Sequence, residues 1–296
     1  MKIAILGKGG TGKSSISWLF TQYLQTNKSN NILAIDADHN MDLTSCLNYY
    51  VQDNEKFFYK SNQTFKQLLG IKQEQKWQVQ FDTKSFNHDS IKFTYKPANS
   101  FLPNYIFPIN SNLDLIVVGL GEEDIMYSGK CSHGLSSPLK YLLPRLELEP
   151  NSYLIMDSVA GSDMINYGLY FGLDVHIVVV EGHINSVKVA KQLDDLFIKQ
   201  GIKAYFILNK FNSVNLLIQE FIQDQNIADR VLGTIPIDIN IMQYDYTKVS
   251  QETKDNMDQI FQKILTLPKT TTHGLELLKQ FEAKKSQYNK SKSLNN

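Results

Sequence analysis

Residues 7–14 read Gly-Lys-Gly-Gly-Thr-Gly-Lys-Ser and fit the pattern G-x-x-x-x-G-K-[ST]. The apolar run Ile3-Ala4-Ile5-Leu6 precedes them, and a helix-like stretch over 16–25 follows. Strand, glycine-rich loop and helix is the context in which this pattern cradles a phosphate. Glycines let the backbone turn with positive φ and come close to a ligand. The amides at the start of the following helix then point at an anion. On this reading Gly9, Gly10, Thr11, Gly12 and Ser15 belong to the cradle. Lys13 reaches the β- and γ-phosphates of a nucleotide, and Ser14 holds Mg2+.

A chain that opens this way is expected to continue as alternating strands and helices around a parallel sheet, and the later apolar runs agree. Residues 32–35, 113–119, 153–157, 174–180 and 204–208 read as buried strands. Helices are predicted over 41–47, 64–71, 137–146, 186–199 and 251–265. The expected fold class is therefore α/β, a doubly wound, mostly parallel sheet of about seven or eight strands flanked by helices. Residues 1–283 are read as one P-loop ATPase domain, with a poorly patterned, aromatic- and amide-rich insertion at 48–110. Within the insertion, 77–81 and 91–95 suggest a hairpin. Residues 284–296 carry no acid and no periodicity, so a disordered tail is expected there.

Composition bounds the partners. The 296 residues carry a formal charge of zero, which gives no global pull toward nucleic acid. The two cysteines, Cys46 and Cys131, exclude a disulfide framework and suit a reducing cytoplasm. No apolar run reaches the ~18 residues of a membrane span, and the first strand leaves no room for a signal peptide.

Two strand ends add chemistry to the loop. Residues 153–156 close on Asp157, a Walker B pattern in which the carboxylate reaches Mg2+ through water. The strand at 32–35 ends on Asp36-Ala37-Asp38, at the edge where α/β proteins bind ligands. The same acids also suit the start of a helix.

Lys8 narrows the family. With it the loop resembles the deviant Walker A ATPases, whose loop reads K-G-G-x-G-K-[ST]. These include the MinD/ParA positioning ATPases, the nitrogenase iron protein and the accessory ATPases that mature nickel carbon monoxide dehydrogenase. The resemblance runs from Met1 to about Leu265 and implies an ATPase that cleaves ATP to ADP and phosphate and dimerises on ATP. It implies that Lys8 reaches the partner's nucleotide and that Asp38, in switch I, orients the attacking water. Asp36 would position Mg2+ waters or the loop lysine. Ser158-Val159-Ala160-Gly161 resembles switch II, with the Gly161 amide turning to the γ-phosphate. Asn209 would meet the adenine edge, and Pro236-Ile237-Asp238 would close over the base.

The output rests on Cys131-Ser132-His133. The nickel-handling members carry C-x-C at this place, in loops that face each other and bind metal. Cys131 and His133 are suitable ligands for Ni2+ or Zn2+, and a lone cysteine near a loop histidine is the plain alternative. The leading expectation is a metallochaperone-like ATPase acting on a client metalloenzyme. The alternative is a MinD/ParA-type positioning ATPase acting on membrane or DNA. No basic stripe marks a DNA surface. The segment 275–281 reads as a packing helix without the apolar face that membrane binding needs.

Overall fold

A computed structural model describes residues 1–82, 91–96, 101–120, 136–269 and 273–294. Its centre is β1 (Lys2–Gly7), every residue of which is buried. On one side β1 pairs in parallel with β7 (Ser152–Asp157), and on the other with β8 (Val175–Val180). Beyond β7 lie β2 (Asn31–Asp36), β5 (Leu113–Val117) and a short antiparallel edge strand, β4 (Phe107–Pro108). Beyond β8 lie β9 (Ala204–Leu208) and β10 (Val231–Thr234), both parallel. The sheet thus has eight strands in the order β10-β9-β8-β1-β7-β2-β5-β4, in agreement with the fold expected from the sequence.

Alternation along β1 assigns the two faces. Ile3 and Ile5 point to a core formed with α1 (Lys13–Gln25) and a helix at Gln251–Leu265. Ala4 and Leu6 point to the opposite core. Both faces are covered, so the strands read as unbroken apolar runs rather than as alternation. Burial of each large aliphatic side chain contributes about 1.5–3 kcal/mol.

The segment between β2 and β5 departs from expectation. Its helix is Asn62–Leu68, close to the expected place. The expected hairpin is absent. Val79–Asp82 is a helical turn, and β3 (Phe93–Tyr95) pairs in parallel with β6 (Leu146–Leu148), far along the chain. Aromatic packing organises this region. Phe65 stacks on Phe101 at 5.2 Å, Phe93 meets Phe65 edge-on at 5.3 Å, and Trp77 stacks on Tyr141 at 4.8 Å. Such pairs contribute about 0.5–1.5 kcal/mol each beyond area burial. They have no sequence period, which explains why the segment read as unpatterned.

The disordered tail is also corrected, because a helix runs over Gly274–Leu294. Leu278 and Glu282 are buried, and Glu282 pairs with the buried Lys140 while accepting from Gln78 Nε2 at 2.6 Å. This anchored turn supplies a nucleus, and the Lys, Gln, Ser and Tyr residues beyond it can extend the helix at small cost. The segment 275–281 is thus a packing helix. Among the described residues no helix is long and apolar enough to cross a membrane.

Candidate nucleotide site

Residues 7–14 leave the carboxyl end of β1 and enter α1, as the motif requires. Gly12 caps α1 with φ +84°, and a Cβ there would lie 2.4 Å from Asn209 Nδ2. Both the backbone conformation and the close approach therefore call for glycine. Asn209 Nδ2 donates to the Thr11 carbonyl at 2.8 Å, and the Thr11 hydroxyl donates to the Lys8 carbonyl at 2.8 Å. Asn209 thus ties the end of β9 to the phosphate loop, a contact the sequence reading did not anticipate. The Lys8 ammonium donates to the Gly9 carbonyl at 3.3 Å in an exposed setting.

The switch-like segment after β7 is fastened to β1. Ser158 donates through its amide and hydroxyl to the Ile5 carbonyl at 3.2 and 2.8 Å. The Gly161 amide donates to the Gly7 carbonyl at 2.9 Å, with φ +73° at Gly161.

Asp36 and Asp157 are register partners at the ends of adjacent strands, and both are fully buried. Asp157 Oδ1 accepts from the Ser17 hydroxyl at 3.0 Å. Asp36 Oδ2 accepts from the Thr44 amide at 2.8 Å and hydroxyl at 2.7 Å, which ties β2 to the short helix Asp42–Cys46. Each acid keeps one buried oxygen without a partner, Asp36 Oδ1 and Asp157 Oδ2. Ser17 and Thr44 escaped the sequence reading. Ser17 follows Ser14 by one helical turn and so shares its face, a usable signal, whereas nothing local marks Thr44.

Burial raises the Asp36 carboxyl to about 7, with the Asp157 charge adding to the effect. Burial also raises Asp157, to about 6, against the Ser14 hydroxyl, the Lys13 charge and the Ser17 hydroxyl. The orphaned oxygen of Asp157, a carboxylate on which Ser14 and Lys13 act, and that of Asp36 on the adjacent strand fit a hard divalent cation. Mg2+ commonly takes one or two carboxylates together with waters and substrate phosphates.

This pair gives a signed pH dependence. Between the ordinary value of 3.8 and about 7, folded Asp36 keeps a proton that the unfolded chain has lost. The stability of the nucleotide-free protein therefore falls as pH rises through that window. Asp36→Asn removes the titration and keeps an acceptor for Thr44. Its stability relative to wild type should rise by about 1–3 kcal/mol between pH 4.5 and 8, measured by urea denaturation. A pH-independent difference would refute the buried-proton assignment.

Asp38 is half-buried, two residues beyond the end of β2, with Oδ1 accepting from the Asn40 amide at 3.1 Å. A cavity of about 580 Å3 runs from the phosphate loop past Asn209 to the 236–244 segment, a size suited to a small-molecule ligand. Pro236 and Asp238 line its far wall. Of the two histidines on the β8 side, His176 is a packed core residue with Nε2 2.9 Å from the Tyr170 carbonyl. His183 Nδ1 accepts from the Ser186 amide at 3.2 Å and caps the helix Ile184–Ile198. Cys131 and His133 lie outside the described residues. Among the described residues no group of three or more His, Cys, Asp or Glu side chains could hold a metal ion.

The parallel sheet, the loop entering α1 and the acid at the end of β7 define a P-loop nucleotide-binding α/β protein. The chain belongs to the CobQ/CobB/MinD/ParA nucleotide-binding domain family, whose profile matches residues 2–250. It is 27% identical over 243 residues to an uncharacterized ATP-binding protein of Methanocaldococcus jannaschii, covering 82% of this chain and 90% of that one. It is 25% identical over 252 residues to the carbon monoxide dehydrogenase accessory protein CooC of Rhodospirillum rubrum, covering 84% and 89%. Among solved structures, the cell division ATPase MinD of Pyrococcus furiosus superposes with a TM-score of 0.57 at 14% identity, over 89% and 98% of the two chains.

Proposed function

We propose that this protein is a Mg2+-dependent ATPase of the deviant Walker A type that dimerises with ATP and serves metallocentre maturation. The observation that carries the nucleotide part is the pair of orphaned oxygens of Asp36 and Asp157 beside the phosphate loop. Ser14 and Asp157 would hold Mg2+, which would supply charge neutralisation on the phosphates. Lys13 binds the β- and γ-phosphates, and the amides of 9–15 complete the cradle. Asp38 orients the attacking water. Lys8 extends to the neighbouring chain's nucleotide and stabilises the charge that develops on the transferred phosphoryl group.

A lysine in that role is supported by the arginine inventory. The chain has two arginines, Arg145 and Arg230. Both are buried and hydrogen-bonded to backbone carbonyls, Tyr141 for the first and Asn226 and Ala204 for the second.

The maturation part rests on Cys131 and His133 and on the similarity to an accessory protein of carbon monoxide dehydrogenase. Paired across a dimer, the two residues would give two thiolates and two imidazoles, a set suited to Ni2+ or Zn2+ as cargo. Metal analysis of the purified protein with and without ATP is expected to find about one ion per two chains, lost in Cys131→Ser. No specific metal in wild type would remove the delivery role. Sedimentation with DNA or liposomes only when ATP is present would favour a positioning ATPase instead.

A further inference from the structure

Asp238 follows Pro236-Ile237 on the wall of the cavity, where a carboxylate could be taken for a base-reading group. Its hydrogen bonds run the other way. Oδ1 accepts from the Asn240 amide at 3.0 Å, forming a local turn. Oδ2 accepts from the Ser250 amide at 2.9 Å and from the Thr253 hydroxyl at 3.0 Å. Ser250 is the N-cap of the helix Gln251–Leu265, and its hydroxyl accepts from the Thr253 amide at 3.2 Å. The Asp238 carboxylate therefore sits at a helix N-terminus, where both the free amides and the helix dipole favour negative charge.

The neighbours of Asp238 border the cavity and stay open to solvent. Ile237 and Ile239 are 75% and 68% exposed, while Thr253 is wholly buried and does not line the cavity. Further along, Tyr244 packs edge-on against Trp18 of α1 at 5.4 Å. The wall is thus fastened to one helix through Asp238 and to the phosphate-loop helix through Tyr244.

We infer that Asp238 is a positioning residue, whose carboxylate holds the 236–244 wall against the helix Gln251–Leu265 and leaves recognition of the base to Asn209 and the apolar wall. This inference rests on the nucleotide reading and deepens it. Each charge-assisted bond that fixes the wall is made before the ligand arrives, so the ordering cost does not fall on binding. Thr253, whose hydroxyl also accepts from the Ser250 hydroxyl at 2.9 Å, does not line the cavity, so it should affect nucleotide affinity through the Asp238–Ser250–Thr253 cluster. The free lone pair of Oδ1 is the competing contact, through which Asp238 would discriminate adenine from guanine directly.

The test is fluorescence titration of the full chain with N-methylanthraniloyl-ATP and Mg2+, with competition by unlabelled ATP and GTP. Thr253→Val should weaken binding about threefold to tenfold, and Thr253→Ser should restore it. Asp238→Asn should weaken binding similarly and add little to Thr253→Val, with the ATP-to-GTP affinity ratio the same in all variants. Amide exchange over 238–250 in the free protein should be faster in Thr253→Val, a readout independent of any nucleotide. Wild-type affinity and exchange in Thr253→Val would overturn the inference, as would a changed ATP-to-GTP ratio in Asp238→Asn. If wild type itself bound no nucleotide, the nucleotide reading would fall and take the affinity claim with it.

Discussion

Lys13→Ala should lower ATP turnover by on the order of a hundredfold to a thousandfold, the scale on which loss of a fixed electrostatic partner acts. Lys13 is the first residue of α1 and is buried beside the loop. Its charge also acts on Asp157, holding that carboxyl lower than burial alone would leave it. The substitution therefore removes the cation from the phosphates and pushes Asp157 further toward its neutral form, which weakens Mg2+ binding as well. Lys13→Arg should not rescue, because a planar fork is a poor replacement for a compact ammonium in a tight cradle. Phosphate release under steady-state conditions, with circular dichroism to verify folding, measures the effect. Turnover surviving in folded Lys13→Ala would place the chemistry elsewhere.

The largest loss of stability is expected from Arg230→Ala. The guanidinium pairs with both oxygens of Asp194, with NH2 at 2.6 Å from Oδ2, and donates to the Ala204 carbonyl at 3.0 Å and the Asn226 carbonyl at 2.8 Å. Both side chains are buried. The pair joins the helix Ile184–Ile198 to the start of β9 and the approach to β10. Truncation leaves Asp194 charged and unpaired in the interior, which costs about 3–5 kcal/mol. Arg230→Ala with Asp194→Leu should recover part of that loss, since removing both charges spares the stranded one. Urea unfolding of the two variants checks both numbers. A loss in Arg230→Ala within a few tenths of wild type would mean that the pair contributes little.

The sheet was legible because its strands are covered on both faces and so appear as apolar runs, such as 174–180 and 204–208. The phosphate loop was legible because its demands are local, with glycine at a positive φ, a lysine and a hydroxyl all within eight consecutive residues. Contacts made over long separations were not. β3 finds β6 about fifty residues later, and three-residue strands carry no period to betray it. Thr44 reaches Asp36, and Thr253 reaches Asp238, through side chains that look ordinary in sequence. The helix Gly274–Leu294 depends on burying Leu278 and on the Lys140–Glu282 pair, a partnership across more than a hundred residues. Local polarity alone made its second half look unstructured.

A Mg2+-dependent nucleotide site at the 7–14 loop, with Asp36 and Asp157, is the central proposal. Calorimetric titration of the purified chain with AMPPNP, with Mg2+ present and absent, addresses it most directly. The expected result is saturable binding at one site per chain that weakens at least about tenfold without Mg2+ and is lost in Lys13→Ala. Absence of binding in the presence of Mg2+, or binding that Lys13→Ala leaves intact, would contradict it.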